Sequence, residues 1–180
     1  MTGHLETERL FLRPFKSDDL TDLAAFYGDR EVMAIRKLGV LTKEQSAGQL
    51  AIIQAHWQQH GYGLWRLSGR ESGVFLGESG LRHPDPEGNV ELSYGLTPNA
   101  WGQGLATEAS LAVLSHGFVT AGLDEVVAIA QGGNLASRQV LVKLGMTLAE
   151  TWQNNGTELV RYSIWAKEFN ENAARRTSQK

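Results

Sequence analysis

Apolar and polar positions along the chain follow two periods, which separate predicted strands from predicted helices. Strand-like patterns occupy 9–15, 62–68, 73–82, 89–96, 124–131 and 157–166. Apolar residues recur at helical spacing over 17–29, 43–59, 105–121 and 134–145. The loop after residue 82 carries proline, glycine and asparagine, which favours an antiparallel meander there. The order β-α-α-β-β-β-α-β-α-β predicts a single-domain α/β fold, with a central mixed, mostly antiparallel sheet flanked by helices.

Two helix starts carry side chains that suit a first turn. Ser17 is predicted as an N-cap, followed by Asp18 and Asp19, whose charges the helix dipole favours. Thr42 and Gln45 have the spacing of a capping box for the second helix. The segment 167–180 is predicted as a polar C-terminal tail, of which NENAARRTSQK, residues 170–180, is predicted to fray.

Composition narrows the class of protein. The chain has 180 residues, 42% of them hydrophobic, which suits one domain with one core. A net charge of −3 weighs against nucleic acid as the main partner. With no cysteine, and with five histidines that lack metal-ligand spacing, we expect no metal. No signal peptide pattern and no apolar run of ~18 residues are present, so we expect a cytoplasmic protein that binds no membrane.

The stretch SYGLTPNAWGQGLATEAS, residues 93–110, places two glycines between a strand and a helix. The N–H groups at a helix start attract anions, and Gly102 and Gly104 leave the backbone accessible. A pyrophosphate site and a tight turn without a ligand both explain this pattern. A Walker-type loop is disfavoured because no Gly-Lys-Ser/Thr follows, and a dinucleotide fingerprint because its third glycine is missing.

A second segment, GGNLASRQVLVKLGM at 132–146, follows the next predicted strand. With both segments, the chain resembles the GNAT superfamily of N-acetyltransferases, specifically the branch that includes ribosomal-protein-alanine acetyltransferases. Residues 101–106 match the acetyl-CoA motif Gln/Arg-x-x-Gly-x-Gly/Ala, and residues 134–137 match the branch's Asn-x-x-Ser helix start. The opening TERLFLRPF is similar to the branch's first strand, so the resemblance covers residues 5–166, which we expect to form the N-acetyltransferase domain.

The resemblance implies acetyl-CoA or CoA as the co-substrate. The cofactor-binding residues it implies are Leu96, Thr97, Trp101, Gly102, Gln103, Gly104, Leu105, Ala106, Thr107, Asn134 and Ser137. Trp101 replaces the first Gln or Arg of the motif, which leaves the phosphates mostly to backbone N–H groups. Leu141 stands where many members have a tyrosine that serves as general acid. That acid must therefore come from elsewhere, or the thiolate leaves without one.

Glu91 and Ser137 are the candidate catalytic residues. Glu91 alternates with an apolar face formed by Val90 and Leu92, and the family uses a similarly placed glutamate as a base. A solvated carboxylate on an open sheet face is the alternative. Ser137 would assist the departing thiolate, or else bond its own backbone as a first-turn serine. Asn134 would act as N-cap and, in the family, also as a pantetheine ligand.

Gly95 and Glu158 are further candidates near the site. Gly95 would mark a β-bulge that opens a cleft for the pantetheine arm, or an ordinary irregularity of the strand. Glu158 is a second acid candidate, with pairing to a basic residue such as Arg161 as the alternative.

The function expected is therefore acetyl transfer from acetyl-CoA to a primary amine, by direct attack in a ternary complex. The acceptor would be a protein N-terminus or a small-molecule amine, and the resemblance is compatible with a homodimer. The alternative is a non-catalytic CoA-binding or regulatory module, which the missing tyrosine favours and the presence of Glu91 disfavours.

Overall fold

The computed structural model describes residues 3–34, 36, 39–84 and 88–178. The strands are β1 (Leu5–Glu6), β2 (Leu10–Pro14), β3 (Leu64–Gly69), β4 (Phe75–Arg82), β5 (Glu91–Leu96), β6 (Glu125–Gln131), β7 (Thr147–Asn154) and β8 (Thr157–Trp165). The helices are α1 (Leu20–Gly28), α2 (Arg30–Met33), α3 (Lys43–His60), α4 (Leu105–Ser115), α5 (Leu135–Leu144) and α6 (Ala166–Thr177). The predicted α/β class with a mixed, mostly antiparallel sheet is confirmed.

The strands form one sheet in the order β1-β2-β3-β4-β5-β6-β8-β7. Neighbours are antiparallel except β5 and β6, which run parallel. In the described chain, the register pairs β5 with β6 only at Glu91 and Val127. Because both strands continue beyond this pair, they diverge toward their carboxyl ends and leave an opening in the middle of the sheet.

Apolar side chains cover the two faces of the sheet differently. On one face, alternate residues such as Leu92 of β5 and Ala128 of β6 pack against α4 and α5 in the main core. On the other face, α1 and α3 pack over the β2–β4 half and bury a smaller cluster that includes Phe26 and Leu64. We call these the core face and the acceptor face. Glu91, Val127 and Arg161 belong to the acceptor face, where they line one cavity.

The two helix-start predictions have different outcomes. Thr42 Oγ1 accepts a hydrogen bond from the N–H of Gln45, and the Gln45 side chain accepts one from the N–H of Thr42, so the capping box is confirmed. The Ser17 N-cap is wrong. Residues 17–19 form a 3-10 turn, and the Asp19 carboxylate accepts from the Lys16 N–H and from Arg13 instead.

The sequence patterns do not predict β7, and they predict a frayed tail where the structure has helix α6. Strand β7 is an edge strand whose residues are exposed except for the half-buried Trp152, so it shows no apolar alternation. The fraying prediction is wrong for residues 170–177, which continue α6. Phe169 anchors this helix, since it is only 5% exposed and its ring centre lies 5.2 Å from that of Phe118. The Glu168 carboxylate also accepts from the N–H of Trp165 and caps this helix.

No bulge lies at Gly95. The β4–β5 register runs without a shift from Gly77–Leu96 to Arg82–Glu91. The cleft arises from the divergence of β5 and β6, which needs no bulge in β5. No helix within the described ranges is long and apolar enough to cross a membrane.

Candidate active site

The glycine turn stands at the carboxyl end of β5 and opens α4. Gly102 has φ of 72° and Gly104, the N-cap of α4, has φ of 77°, conformations that favour glycine. A Cβ added at Gly102 would meet nothing within 4 Å, so the turn faces open space. The first N–H groups of α4 have no partner within the helix, which is general for helix starts. The turn therefore fits a pyrophosphate.

Side chains on both sides hold this turn in place. The exposed Trp101 folds back, and its Nε1 donates to the Leu96 carbonyl at 2.8 Å. The N–H of Thr97 donates to Leu76 O, and Gln103 Nε2 donates to Asn99 O. Beyond the turn, Leu105 is buried in the core, and Ala106 and Thr107 are half-buried.

The β1–β2 turn braces the glycine turn through Arg9 and Glu108, two residues that sequence reasoning did not single out. Arg9 Nη1 donates to Gln103 O at 2.9 Å, and its Nε donates to the Glu108 carboxylate at 2.7 Å. Thr7 also donates to Glu108, at 2.6 Å. Burial raises the pKa of Glu108, but the hydrogen bonds from Thr7 and Arg9 outweigh it and lower that pKa below its ordinary value.

The start of α5 lies across the opening from β5. Asn134 is the N-cap, as predicted, because its Oδ1 accepts from the Ser137 N–H at 3.1 Å. Ser137 does not bond its own backbone through its hydroxyl. Its Oγ lies 2.8 Å from the hydroxyl of Tyr94, which also donates to the Ser137 carbonyl at 3.0 Å. Tyr94 therefore belongs to the site through its contacts with Ser137.

The Tyr94 hydroxyl carries one proton and meets two oxygens of Ser137. When it donates to Oγ, the proton of Ser137 is free to point elsewhere in the opening. Burial raises the pKa of Tyr94 to about 12, so the phenol stays protonated at neutral pH. Leu141 is 1% exposed and belongs to the core, so that position offers no acid.

Glu91 is buried rather than solvated. It is 7% exposed, and its Oε1 accepts from Arg82 Nη2 at 2.8 Å. It lines a cavity of about 260 Å³ on the acceptor face. The cavity is lined by Pro84, Gly88, Asn89, Glu91, Val127, Ile129, Glu150, Trp152 and Arg161.

The two predicted catalytic residues lie on opposite faces of the sheet. Glu91 is on the acceptor face, and Ser137 reaches the opening from α5 on the core face. Glu158 is exposed and stands against Gly132, where a Cβ would collide with it. Three positions separate Glu158 from Arg161 on one strand, so they point to opposite faces and do not form the pair considered from the sequence. No group of three or more His, Asp or Glu side chains in the described ranges could hold a metal ion.

The family model described as the acetyltransferase (GNAT) domain matches residues 9–147. The chain belongs to this family. GNAT acetyltransferases use acetyl-CoA as co-substrate, which agrees with the open glycine turn and with an opening between two diverging parallel strands.

Relatives and solved structures agree with this assignment. The Bacillus subtilis "uncharacterized N-acetyltransferase YoaA" is 28% identical over 159 residues, which cover 85% of this chain and 90% of that protein. A GNAT-family acetyltransferase structure from Bacillus anthracis has a TM-score of 0.81 at 21% identity, covering 91% of this chain and 99% of that one. The ribosomal L7/L12 α-N-protein acetyltransferase RimL, in complex with CoA, has a TM-score of 0.77 at 16% identity, covering 88% and 95%. Both solved structures therefore share the fold of this chain.

Proposed function

We propose that this chain transfers the acetyl group of acetyl-CoA to a primary amine, by direct attack in a ternary complex. The observation that carries the proposal is the opening between β5 and β6, which are paired only at Glu91 and Val127. The glycine turn lies at one end of this opening, Ser137 borders it on the core face, and Glu91 lies at its closed end on the acceptor face.

Glu91 takes the proton of the attacking amine. A lysine amine has an ordinary pKa of about 10.4 and a protein N-terminus about 7.7–8.0, so a base is needed most for the former. The amine nitrogen forms a bond to the acetyl carbon, and the bond from that carbon to sulfur breaks. Ser137 donates a hydrogen bond from its hydroxyl to the sulfur, which leaves as the CoA thiolate, and Tyr94 orients Ser137 for this.

Backbone N–H groups of residues 102–107 hold the pyrophosphate, and the main chain at Leu96 and Thr97 contacts the pantetheine arm. The side chain of Asn134 uses Oδ1 for the helix cap, which leaves its Nδ2 as the donor for the arm. Trp101 and Gln103 act by fixing the turn, because both side chains bond main-chain carbonyls.

The acceptor enters by the cavity that Glu91 lines. It is a protein N-terminus or a small-molecule amine, as in the ribosomal-protein-alanine branch that the motifs resemble. The resemblance to that branch also supports a homodimer, which sedimentation at two protein concentrations would test.

The test measures binding and turnover on the intact chain. Acetyl-CoA or CoA should raise the melting temperature, because a ligand at a hundredfold its Kd adds ~2.7 kcal/mol to the native state. Release of CoA is then followed with peptides, polyamines and aminoglycosides as acceptors. No thermal shift at millimolar acetyl-CoA would contradict the cofactor assignment. A shift without turnover on any amine would favour a non-catalytic CoA-binding module.

A further inference from the structure

Arg36 is held in a rigid arrangement over the acceptor face. Its Nη1 donates to Glu78 Oε1 at 2.7 Å, and Tyr27 donates to the other oxygen of that carboxylate at 2.8 Å. The guanidinium carbon lies 5.2 Å from the ring centre of Phe26 and 5.8 Å from that of Tyr27. One hydrogen bond to Glu78, which Tyr27 holds from its other oxygen, and two aromatic rings therefore fix the position of the guanidinium.

Arg36 stays charged and Tyr27 stays protonated at neutral pH. Burial lowers the pKa of Arg36, but the charge of Glu78, the hydrogen bond to Glu78 and the interactions with Tyr27 together outweigh burial and raise that pKa above its ordinary value. Burial raises the pKa of Tyr27, and the charge of Glu78 raises it further, so the phenol remains a donor. Glu78 itself is 1% exposed.

The guanidinium lies directly on strand β5 at Gly95. A Cβ at that position would collide with Arg36 Nη2, so glycine provides the space that the side chain occupies. Gly95 lies four residues beyond Glu91, where the described register pairs β5 with β4 but not with β6. Arg36 thus reaches the strand beside the opening.

One nitrogen of Arg36 lacks a partner. Nη2 is buried, and within the described ranges of the chain it makes no hydrogen bond. Buried polar groups in folded proteins are nearly always hydrogen-bonded, and a charged donor left unpaired is costly. A bound ligand with an oxygen at this point would provide the missing acceptor.

We propose that Arg36 Nη2 donates a hydrogen bond to the carbonyl oxygen of the acetyl thioester and stabilises the negative charge that develops there. This rests on the proposed function. As the amine nitrogen bonds to the acetyl carbon, a C=O electron pair moves to oxygen. The pair returns when the carbon–sulfur bond breaks. The proton of the amine passes to Glu91, as before.

The position of Ser137 indicates that Arg36 Nη2 binds the oxygen of the thioester rather than an oxygen of the acceptor. Tyr94, which bonds Ser137, directly precedes Gly95, and consecutive strand residues point to opposite faces. With Ser137 at the sulfur on the core face, Arg36 on the other face is placed to reach the oxygen of the same acetyl carbon. A fixed donor in a dry site is the arrangement that stabilises developing charge most strongly.

The test compares two variants that differ only at Arg36. Glu78→Gln removes the counter-charge but keeps Arg36, and the double variant Arg36→Gln with Glu78→Gln removes both charges. The double variant avoids leaving Glu78 buried without its partner, which would endanger folding. Circular dichroism and melting curves check that both variants fold. Arg36→Lys, which keeps the charge but has a single nitrogen to pair with Glu78, provides a third arm.

If Arg36 binds the acyl oxygen, kcat of the double variant should fall roughly 10²–10³-fold below that of Glu78→Gln. The Kd for CoA, which has no acyl oxygen, should be unchanged. The Kd for acetonyl-CoA, a ketone analogue that keeps the carbonyl, should rise. Arg36→Lys should also lose turnover, since its nitrogen stays with Glu78.

Other outcomes overturn the proposal in distinguishable ways. A raised KM for the amine, with kcat and the acetonyl-CoA affinity unchanged, would assign Arg36 to the acceptor. Equal turnover in the two variants would make it a structural residue. If wild-type chain binds no acetyl-CoA, the proposed function is itself wrong and this assignment fails with it.

Discussion

The Glu91 side chain is buried beside the guanidinium of Arg82 and lines one cavity. Arg82 on the neighbouring strand β4 forms an ion pair with the Glu91 carboxylate. The cavity leaves that carboxylate accessible from the acceptor face. A buried carboxylate with one hydrogen-bonded guanidinium is expensive to maintain for stability alone. Its place at the closed end of the opening suits the proposed role of Glu91 as the base.

Glu91→Gln tests that use, because it keeps shape and hydrogen bonding but removes the base. Turnover at neutral pH should fall by roughly 10²–10⁴-fold, the usual worth of general base catalysis. The deficit should shrink as pH rises, since the amine then arrives increasingly neutral. Steady-state rates between pH 6 and 9, with the Kd for CoA from titration, measure both effects.

Glu125→Gln is the matched control, since Glu125 lies on the acceptor face of β6 but does not line the cavity. It should leave the rate profile unchanged. Wild-type turnover of Glu91→Gln across this pH range would remove Glu91 from the mechanism. Loss of CoA affinity together with activity would make its role structural.

At the scale of single residues, sequence spacing predicts those candidate catalytic residues that lie near a recognisable motif. Strand alternation and a helix start, together with the resemblance to the GNAT family, indicate Glu91 and Ser137, and both lie at the opening in the structure. Arg36 and Arg9 were not found, because their partners lie 42 and 99 positions away in sequence. No local pattern records such contacts, since they depend on how the sheet brings distant strands together.

The entry of α4 depends on backbone shape more than on side chains. Gly104 has φ of +77°, and a Cβ there would come no nearer than 3.7 Å to Arg9 Nη2. The space over the turn is therefore open, and Arg9 and Trp101 hold the backbone from its margins. An element of this kind can bind an anion without rearrangement.

Gly104→Val should abolish the thermal shift produced by acetyl-CoA, because a branched side chain would fill the space where the pyrophosphate meets the backbone. The same change also strains the backbone at positive φ. Gly122→Val controls for that strain, since Gly122 has φ of +69° and open space around it but lies after α4. It should lower the melting temperature yet keep the ligand shift, as differential scanning fluorimetry would measure. A full shift in folded Gly104→Val would place the anion site elsewhere.

Elements were predictable where apolar residues alternated and were missed where they did not. Strand β7 lies at the sheet edge, and nearly all its side chains are exposed, so its sequence has no apolar alternation. Hydrogen bonding to β8 holds it in the sheet. Helix α6 depends largely on one anchor, Phe169, within polar surroundings. The Trp165–Glu168 cap three residues apart was the available sequence indication of its start.

On the scale of the whole molecule, three partly buried histidines link stability to pH. His56 Nε2 accepts a hydrogen bond from the main-chain N–H of His83 at 3.2 Å. The ring proton of neutral His56 is therefore on Nδ1, which lies 2.9 Å from Tyr62 O. Burial lowers the pKa of His56, with nearby positive charges adding to the effect. Burial also lowers the pKa of His83 and of His116, which packs edge-on against Trp65. The fold thus favours the neutral form of all three.

The free energy of unfolding should therefore decline as pH falls below about 6.5, the ordinary histidine pKa. Below that value the unfolded chain binds protons that the folded chain resists, so stability is complete above it and is lost as pH falls through the lowered folded values. Melting curves at pH 7.5, 6.5, 5.5 and 5.0 measure the decline. His56→Gln, whose amide stays neutral and can still accept from the His83 N–H, should flatten it. Gln58→Ala, an exposed change on the same helix, should shift the curve without altering its slope. A wild-type melting temperature that stays constant from pH 7.5 to 5.0 would contradict this linkage.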